Sequence, residues 1–329
     1  MAQNKLPKVT IMIPTYNQES FIEEAVNSAL MQTYSNLEVI VGDDASTDRT
    51  ADIVSNIDDK RLKLIRNTCN LGRTKNYRNI LYHHATGDYV VNLDGDDYYT
   101  DPEFIAEAVN LIINDPEVVV VAARASWTSG KRKIVSEIPR KKEMDGICIL
   151  KKLPRKNLFF QHMATLYKRE TALELNFYRA DLISSDWESL YRLTLFGKVK
   201  YLDRIVGVWR IHEQNETKSM DFRKITSNLE IWSAIYEEAK NHGMNSMVAT
   251  IKLHRCISYF ASMYAARLSL HGNGEYVKFL WYLVKHFKLG VLFLFVHPFY
   301  MSRIILGFLG YYRLRNRSCA VKRKKTCAE

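Results

Sequence analysis

Three carboxylates crowd four positions in the run NLDGDD, residues 92–97. Asp94, Asp96 and Asp97 would repel one another unless something positive sits among them. They follow an apolar run, residues 89–91. Two further polar clusters also close apolar runs: PTYN, with Pro14 and Tyr16, and GDDAS, with Asp43 and Asp44. A single Asp-rich turn is an ordinary cap or corner. Three at the ends of successive strands make a ligand site. Further on, Asp186 opens a helical stretch, where it can act as a cap or as a free carboxylate. Arg210 and His212 stand two apart in WRIHEQNET, so on a strand they share a face.

These residues need elements to hold them. Residues 8–120 alternate in type. VTIMIPTYN, LEVIVGDD, LKLIRN, DYVVNLD and VVVVAARASW read as strands. Between them, ESFIEEAVNSALMQ places Phe21, Ile22, Ala25, Val26, Ala29 and Leu30 at helical spacing. STDRTADIVSNI reads as a helix capped by Ser46 or Thr47. RTKNYRNILYHHA reads as a helix stopping near Gly87, and PEFIAEAVNLIIN as one with Pro102 in its first turn. Such alternation predicts an α/β fold with a mostly parallel sheet and right-handed crossovers. Ligands of such sheets bind beyond the carboxyl ends of the strands, where the three clusters fall. Past residue 120 the pattern blurs. Residues 126–160 read as an irregular basic connection, 186–196 as a helix, and KVKYLD and IVGVWRIH as two strands. From about residue 219 the chain reads as helical.

The chain has 329 residues, 47% of them hydrophobic and 25% charged, which is enough for a large core and argues against disorder. The formal net charge of +11 concentrates between residues 130 and 156 and in the tail. No nucleic-acid-binding module accompanies it, so nucleic acid is not an expected partner. Five cysteines lack metal-like spacing, and the N-terminus lacks a secretory h-region; both fit a reducing, cytoplasmic setting.

The segment IMIPTYNQESFIEEAVNSALMQTYSNLEVIVGDDASTDRT resembles the opening of the family 2 glycosyltransferases. The later run agrees with it: Asn70, Gly72, Arg78, Asn79 and Gly87-Asp88 lead into LDGDD, followed by Pro102. The resemblance spans roughly residues 8–215 and implies the GT-A fold, a Rossmann-like sheet. It divides the chain into a transferase domain at 1–218 and a helical C-terminal region at 219–329. Within the domain, a nucleotide-binding half covers about 1–120 and an acceptor half about 121–218. The activity it implies is inverting transfer of a sugar from a nucleotide diphosphate, usually UDP, to a hydroxyl of a saccharide or lipid-linked acceptor.

The resemblance also carries roles onto single residues. Tyr16, beside Pro14, matches a residue that stacks on the base. Asp44 matches one that bonds it, with Asp43 supporting the turn. Arg78 and Arg210 match positions near the nucleotide and diphosphate. Asp94 matches the ribose-binding acid. Asp96, with Asp97 and His212, matches the holder of Mn²⁺ or Mg²⁺, which supplies the positive partner that the acidic run calls for. SSDWESLYRL resembles the Glu-Asp segment whose Asp is the general base, which makes Asp186 the base. Ser185 departs from that pattern. Trp187 is a candidate platform for an acceptor ring, and His162 falls on the acceptor side. A nucleotidyltransferase would carry a Gly-rich loop where this chain reads PTYNQES. The other alternative is a non-catalytic nucleotide-sugar or membrane-binding protein on a transferase scaffold.

From Leu289 the chain runs GVLFLFVHPFYMS, then IILGFLGYY, then a tail with Arg313, Arg315, Arg317 and KRKK. Pro298 and Arg303 interrupt the apolar pieces, and neither reaches the length that spans a bilayer. Basic flanks and tyrosines suit an amphipathic segment lying on an anionic membrane surface. The expectation is a peripheral protein on the inner face of the cell membrane.

Overall fold

The computed structural model describes residues 6–129, 132–213, 215, 221–268, 273–287 and positions 301, 302 and 305. Its contacts fall into two compact units, residues 1–215 and 216–329.

The first unit alternates strand and helix through its opening third: β1 (Val9–Thr15), α1 (Ile22–Leu30), β2 (Leu37–Asp43), α2 (Thr50–Ser55), β3 (Leu62–Arg66) and α3 (Arg73–Asn79). A π-turn (Ile80–His84) extends α3, and β4 (Tyr89–Asn92), the short β5 (Tyr98–Tyr99), α4 (Phe104–Ile113) and β6 (Val118–Ser129) follow. Beyond them lie β7 (Arg132–Val135), β8 (Glu143–Asp145), α5 (Gly146–Lys152), β9 (Thr165–Lys168), α6 (Arg169–Glu174), α7 (Ser185–Thr194) and β10 (Lys198–Trp209).

The strands make one sheet in the order β3-β2-β1-β4-β9-β6-β10-β5, with β7 on β6 and β8 on β10. The β3-β2-β1-β4 block and the β6–β10 pair are parallel, and β9 joins them antiparallel to both neighbours. Every residue of β1, β2 and β4 is buried, as a parallel sheet covered on both faces requires. On one face, Val9, Ile11, Ile13, Val39, Val41 and Val91 pack with Ile22 and Val26 of α1 and Phe104, Ile105 and Ile112 of α4. That packing fixes the direction of the strands, and so where their carboxyl ends deliver Thr15, Asp43 and Asn92.

Three expectations need correction. Residues 126–160 are not irregular: β6 runs on to Ser129, and β7, β8 and α5 follow. Their pairing partners lie far away in sequence, so periodicity did not reveal them. KVKYLD and IVGVW form one strand, β10, whose register shifts against β6 mark irregular pairing rather than a break. And α2 begins at Thr50, after the expected caps Ser46 and Thr47.

The second unit holds α8 (Phe222–Asn241), α9 (Ser246–Leu268) and α10 (Asn273–His286). The Asp221 carboxylate accepts from Lys224 N at 2.8 Å and caps α8. Trp232 of α8 stacks on Phe260 of α9 at 4.9 Å, and Asn228 donates to the Tyr264 hydroxyl at 2.6 Å. Among the described residues no helix is long and apolar enough to cross a membrane. The apolar run from Leu289 and the basic tail lie outside the described residues, apart from positions 301, 302 and 305.

Candidate active site

The rim begins where β1 and β2 end in register, with Thr15 opposite Asp43. The chain then leaves β1 through Tyr16, which is 46% exposed, and Asn17, whose positive φ of 52° turns the backbone. Residues 46–50 are spent on holding this turn. Ser46 Oγ accepts from Asn17 N, Thr47 N donates to Asn17 Oδ1, and Asp48 accepts from Glu19 N and Thr50 N. That is why Ser46 and Thr47 do not cap α2. The acidic loop lies alongside: Leu93 N donates to Met12 O and Gly95 N to Pro14 O. A side chain on Gly95 would strike Gln18 and Thr15, so glycine permits this close approach.

Asp44 is buried and fully engaged. Its Oδ1 accepts from Asn67 Nδ2 and Leu71 N, and its Oδ2 from Gly72 N, at 2.8–2.9 Å. Gly72, at φ 88°, lets the chain present both amides to one carboxylate. Asp43 is wholly buried. Its Oδ2 accepts from Ser46 N and lies 3.7 Å from Arg66, while its Oδ1 has no partner among the described residues.

The acidic loop divides its labour. Asp94 Oδ1 accepts from the Tyr77 hydroxyl at 2.6 Å and from Asn92 Nδ2 at 3.1 Å. Asp96 Oδ2 lies 2.7 Å from His212 Nε2, and Asn215 Nδ2 donates to the same oxygen. Asp97 Oδ1 accepts from Arg210 N at 2.9 Å. Burial and the charge of Asp94 push the Asp96 carboxyl up, against the pull of His212. Burial and both neighbouring acids push Asp97 well up. β5 brings the other wall: its pairing with β10, Tyr98 opposite Val208, sets residues 210–215 over the acidic loop. Arg210 donates to Asp96 O, pairs with Glu24, and lies over the Tyr98 ring at 4.3 Å. His212 stacks on Phe21 at 4.9 Å. Arg210 and His212 therefore converge on the acidic loop although β10 itself ends at Trp209.

Asp186 stands in the first turn of α7, half-buried, with no hydrogen-bond partner among the described residues. Its charge is felt by Tyr77 and by His162, and Asp94 acts on the same two side chains. Burial pushes the His162 imidazole down, against the pull of Asp186 and Asp94. His162 is fixed between Asn92 Nδ2 at 3.3 Å and the Tyr178 hydroxyl at 2.7 Å. Glu188 points away from Asp186, as expected two residues on. It is buried between Arg192 and Arg179, 2.7 and 2.8 Å away. Ser185, the departure from the family pattern, is buried 3.5 Å from the Thr74 hydroxyl. Trp187 donates to Phe160 O and stacks on Phe159 at 5.2 Å.

Two assignments change. The Arg78 guanidinium donates to Asn176 Oδ1 and Phe177 O and lies 4.1 Å over Tyr82, so it braces the 176–177 turn rather than the nucleotide rim. Arg73 occupies the neighbourhood instead: it donates to Leu182 O and Ile183 O and lies 5.6 Å from the Tyr77 ring. The trio Asp96, Asp97 and His212 does not close round one point, since among the described residues no three His, Cys, Asp or Glu side chains do. Asp96 and His212 face each other, whereas Asp97 turns toward the Arg210 amide. Tyr77, Arg73, Asn92 and Asn215 were missed from sequence. Only Asn92, inside NLDGDD, carried a signal that could have found it.

A sheet with nucleotide-fold connectivity, carboxylates on three strand ends and a free carboxylate facing them defines a transferase-type α/β protein. Residues 10–175, about half of the chain, match the family described as Glycosyl transferase family 2, and the chain belongs to that family. The *Escherichia coli* UDP-Glc:alpha-D-GlcNAc-diphosphoundecaprenol beta-1,3-glucosyltransferase WfaP is 44% identical over 91 residues, 28% of this chain and 36% of its own length. The chain spans about two thirds or less of the length of the first curated relatives it matches. Among solved structures, *S. aureus* TarS 1-349 in complex with UDP-GlcNAc superposes with a TM-score of 0.68 at 19% identity, covering 94% of this chain and 92% of that one. The mannosyltransferase PcManGT from *Pyrobaculum calidifontis*, in complex with GDP-Man and Mn²⁺, gives 0.57 at 20% identity over 94% and 87%. These likenesses establish the GT-A fold.

Proposed function

We propose that this chain is an inverting glycosyltransferase that moves a sugar from a UDP-sugar to a hydroxyl of a saccharide or lipid-linked saccharide. The observation that carries the reading is the meeting of two carboxylates, Asp94 from the donor rim and the unbonded Asp186 from α7, at Tyr77 and His162. A donor carboxylate and a free base facing one cavity wall suit group transfer better than storage or scaffolding. UDP as donor is supported by the relatives whose names and ligands contain it.

Tyr16 is free to stack on the base at the rim. Asp44 holds the 71–72 amides and so shapes the base pocket, with Pro14 and Asp43 forming its floor. Asp94, kept in place by Tyr77, faces the ribose. Asp96 and His212 suit a divalent cation whose remaining ligands are diphosphate oxygens and water. When bound, Mn²⁺ or Mg²⁺ would neutralise charge on the departing diphosphate. Arg210, over the same loop, adds a fixed positive charge there. Asp186 takes the proton of the attacking hydroxyl. The basic, apolar C-terminal sequence supports a place at the cytoplasmic face of a membrane.

The test needs no acceptor. Purified protein is titrated calorimetrically with UDP, GDP, CDP and TDP, each with and without Mn²⁺. Binding of UDP that depends on metal is the expected result. Folded protein that binds none of the four would sink the reading and favour the non-catalytic scaffold.

A further inference from the structure

The basic stretch of the first unit has no part in the donor site. Residues 132–162 hold nine Lys and Arg against three Asp and Glu. One of those acids, Glu143, is already engaged by Lys198 and Lys200 from β10. Lys151, Arg155 and Lys156 are exposed and Lys152 is half-buried. Among the described residues none of these four cations has a carboxylate partner. Four neighbouring uncompensated charges repel one another unless an anion comes between them.

The path of the chain says where that anion would lie. The segment that follows the cations is pinned to α7, the helix that carries Asp186. The Tyr191 hydroxyl donates to Leu158 O at 3.0 Å, Trp187 Nε1 donates to Phe160 O at 3.0 Å, and Phe159 stacks on Trp187. Two residues beyond Phe160, His162 enters the polar cluster around Asp94. Lys156 is three residues from Phe159, at most about 11 Å of backbone. The cations therefore flank the entrance on the Asp186 side, away from the acidic loop. Arg155 adds a planar fork suited to phosphate oxygens.

We propose that Lys151, Lys152, Arg155 and Lys156 form a phosphate-recognising rim, and that the acceptor is a saccharide carrying a phosphate or diphosphate ester. This rests on the transferase reading and narrows its acceptor class.

The probe is a fluorescent short-chain alkyl diphosphate, followed by anisotropy on the full chain in EDTA. Without a cation the acidic loop repels a diphosphate, so the donor site stays out of the measurement. Wild type should bind the probe in a salt-sensitive manner and should not bind the corresponding alcohol. The Arg155→Gln/Lys156→Gln pair should weaken binding about tenfold or more, as loss of two charge-assisted contacts implies. Arg140→Gln/Lys141→Gln removes the same charge elsewhere in the stretch and should weaken it far less. A parallel arm presents the same headgroup on a polyprenyl chain in phosphatidylcholine vesicles, and the same variant ranking there extends the rim to lipid-borne phosphate. The proposal is overturned if the first pair binds as wild type does, if both pairs weaken binding equally, or if protein binds the vesicles but not the soluble probe. Failure of the transferase reading would show separately, as absent UDP binding in the calorimetric titration.

Discussion

Glu38 offers a measurement of how the strands that carry the rim are held. It sits near the start of β2, 3% exposed, opposite Thr10 of β1. Its Oε1 accepts from the Thr10 hydroxyl at 2.6 Å and from Thr86 N at 2.7 Å, and Lys8 Nζ lies 2.7 Å from its Oε2. Burial alone would push its carboxyl up, but the hydrogen bonds from Lys8, Thr10 and Thr86 outweigh burial and bring it down from 4.5 to about 2. A depressed folded pKa means stability that is fully present above 4.5 and lost as pH falls through about 2. The shift corresponds to about 3 kcal/mol at neutral pH. Glu38→Gln should therefore lower the unfolding free energy of the first unit by up to about 3 kcal/mol at pH 7, and by less than half of that at pH 3. Urea unfolding at the two pH values checks this. UDP affinity measured on folded variant should not change, because Asp43 lies five residues along the strand, about 17 Å away. A pH-independent loss, or a loss below about 1 kcal/mol at pH 7, would refute the charged-network account.

Four substitutions address the site. Asp186→Asn should keep UDP binding and lower transfer by about 10²–10⁴-fold, the range of general-base catalysis; a variant with full turnover would place the base elsewhere. Asp96→Ala should erase the difference between UDP titrations with and without Mn²⁺. Asp44→Asn sets an amide group against Gly72 N; it should weaken UDP binding by about 1–3 kcal/mol and speed amide exchange at Leu71 and Gly72. Arg78→Gln should lower the melting temperature while UDP affinity stays within about twofold, since the lost bonds go to Asn176 and Phe177; a matching fall in UDP affinity would restore Arg78 to the nucleotide rim.

Sequence pattern carried the parallel block because its strands are short, apolar and separated by helices with clear periodicity. The acidic clusters were legible for the same reason, each closing a recognisable strand. What stayed hidden depends on pairing between distant residues. β5 is two residues long and exists through Gly207 and Val208, more than a hundred positions away. β7 and β8 are edge strands that gain their structure from β6 and β10. Ser46 and Thr47 have the chemistry of helix caps, but Asn17 competes for them and wins, which no local window could show.

The exchange of Arg78 for Arg73 shows the same limit inside one helix. Both are arginines of α3, and family pattern favours Arg78. Arg73 and Tyr77 are four apart and share a face. Arg78 is five residues from Arg73, about 140° further round the axis. Tyr77 must face the acidic loop to donate to Asp94, so its orientation commits Arg73 to the cluster and turns Arg78 to the 176–177 turn. Arg73 then joins two parts of the proposed chemistry through adjacent residues. Gly72, its neighbour, is held by Asp44, and Arg73 itself holds the carbonyls of Leu182 and Ile183, just before Asp186. The distance between base pocket and general base is thus set by one turn of α3, a constraint that resides in helix phase and not in residue type.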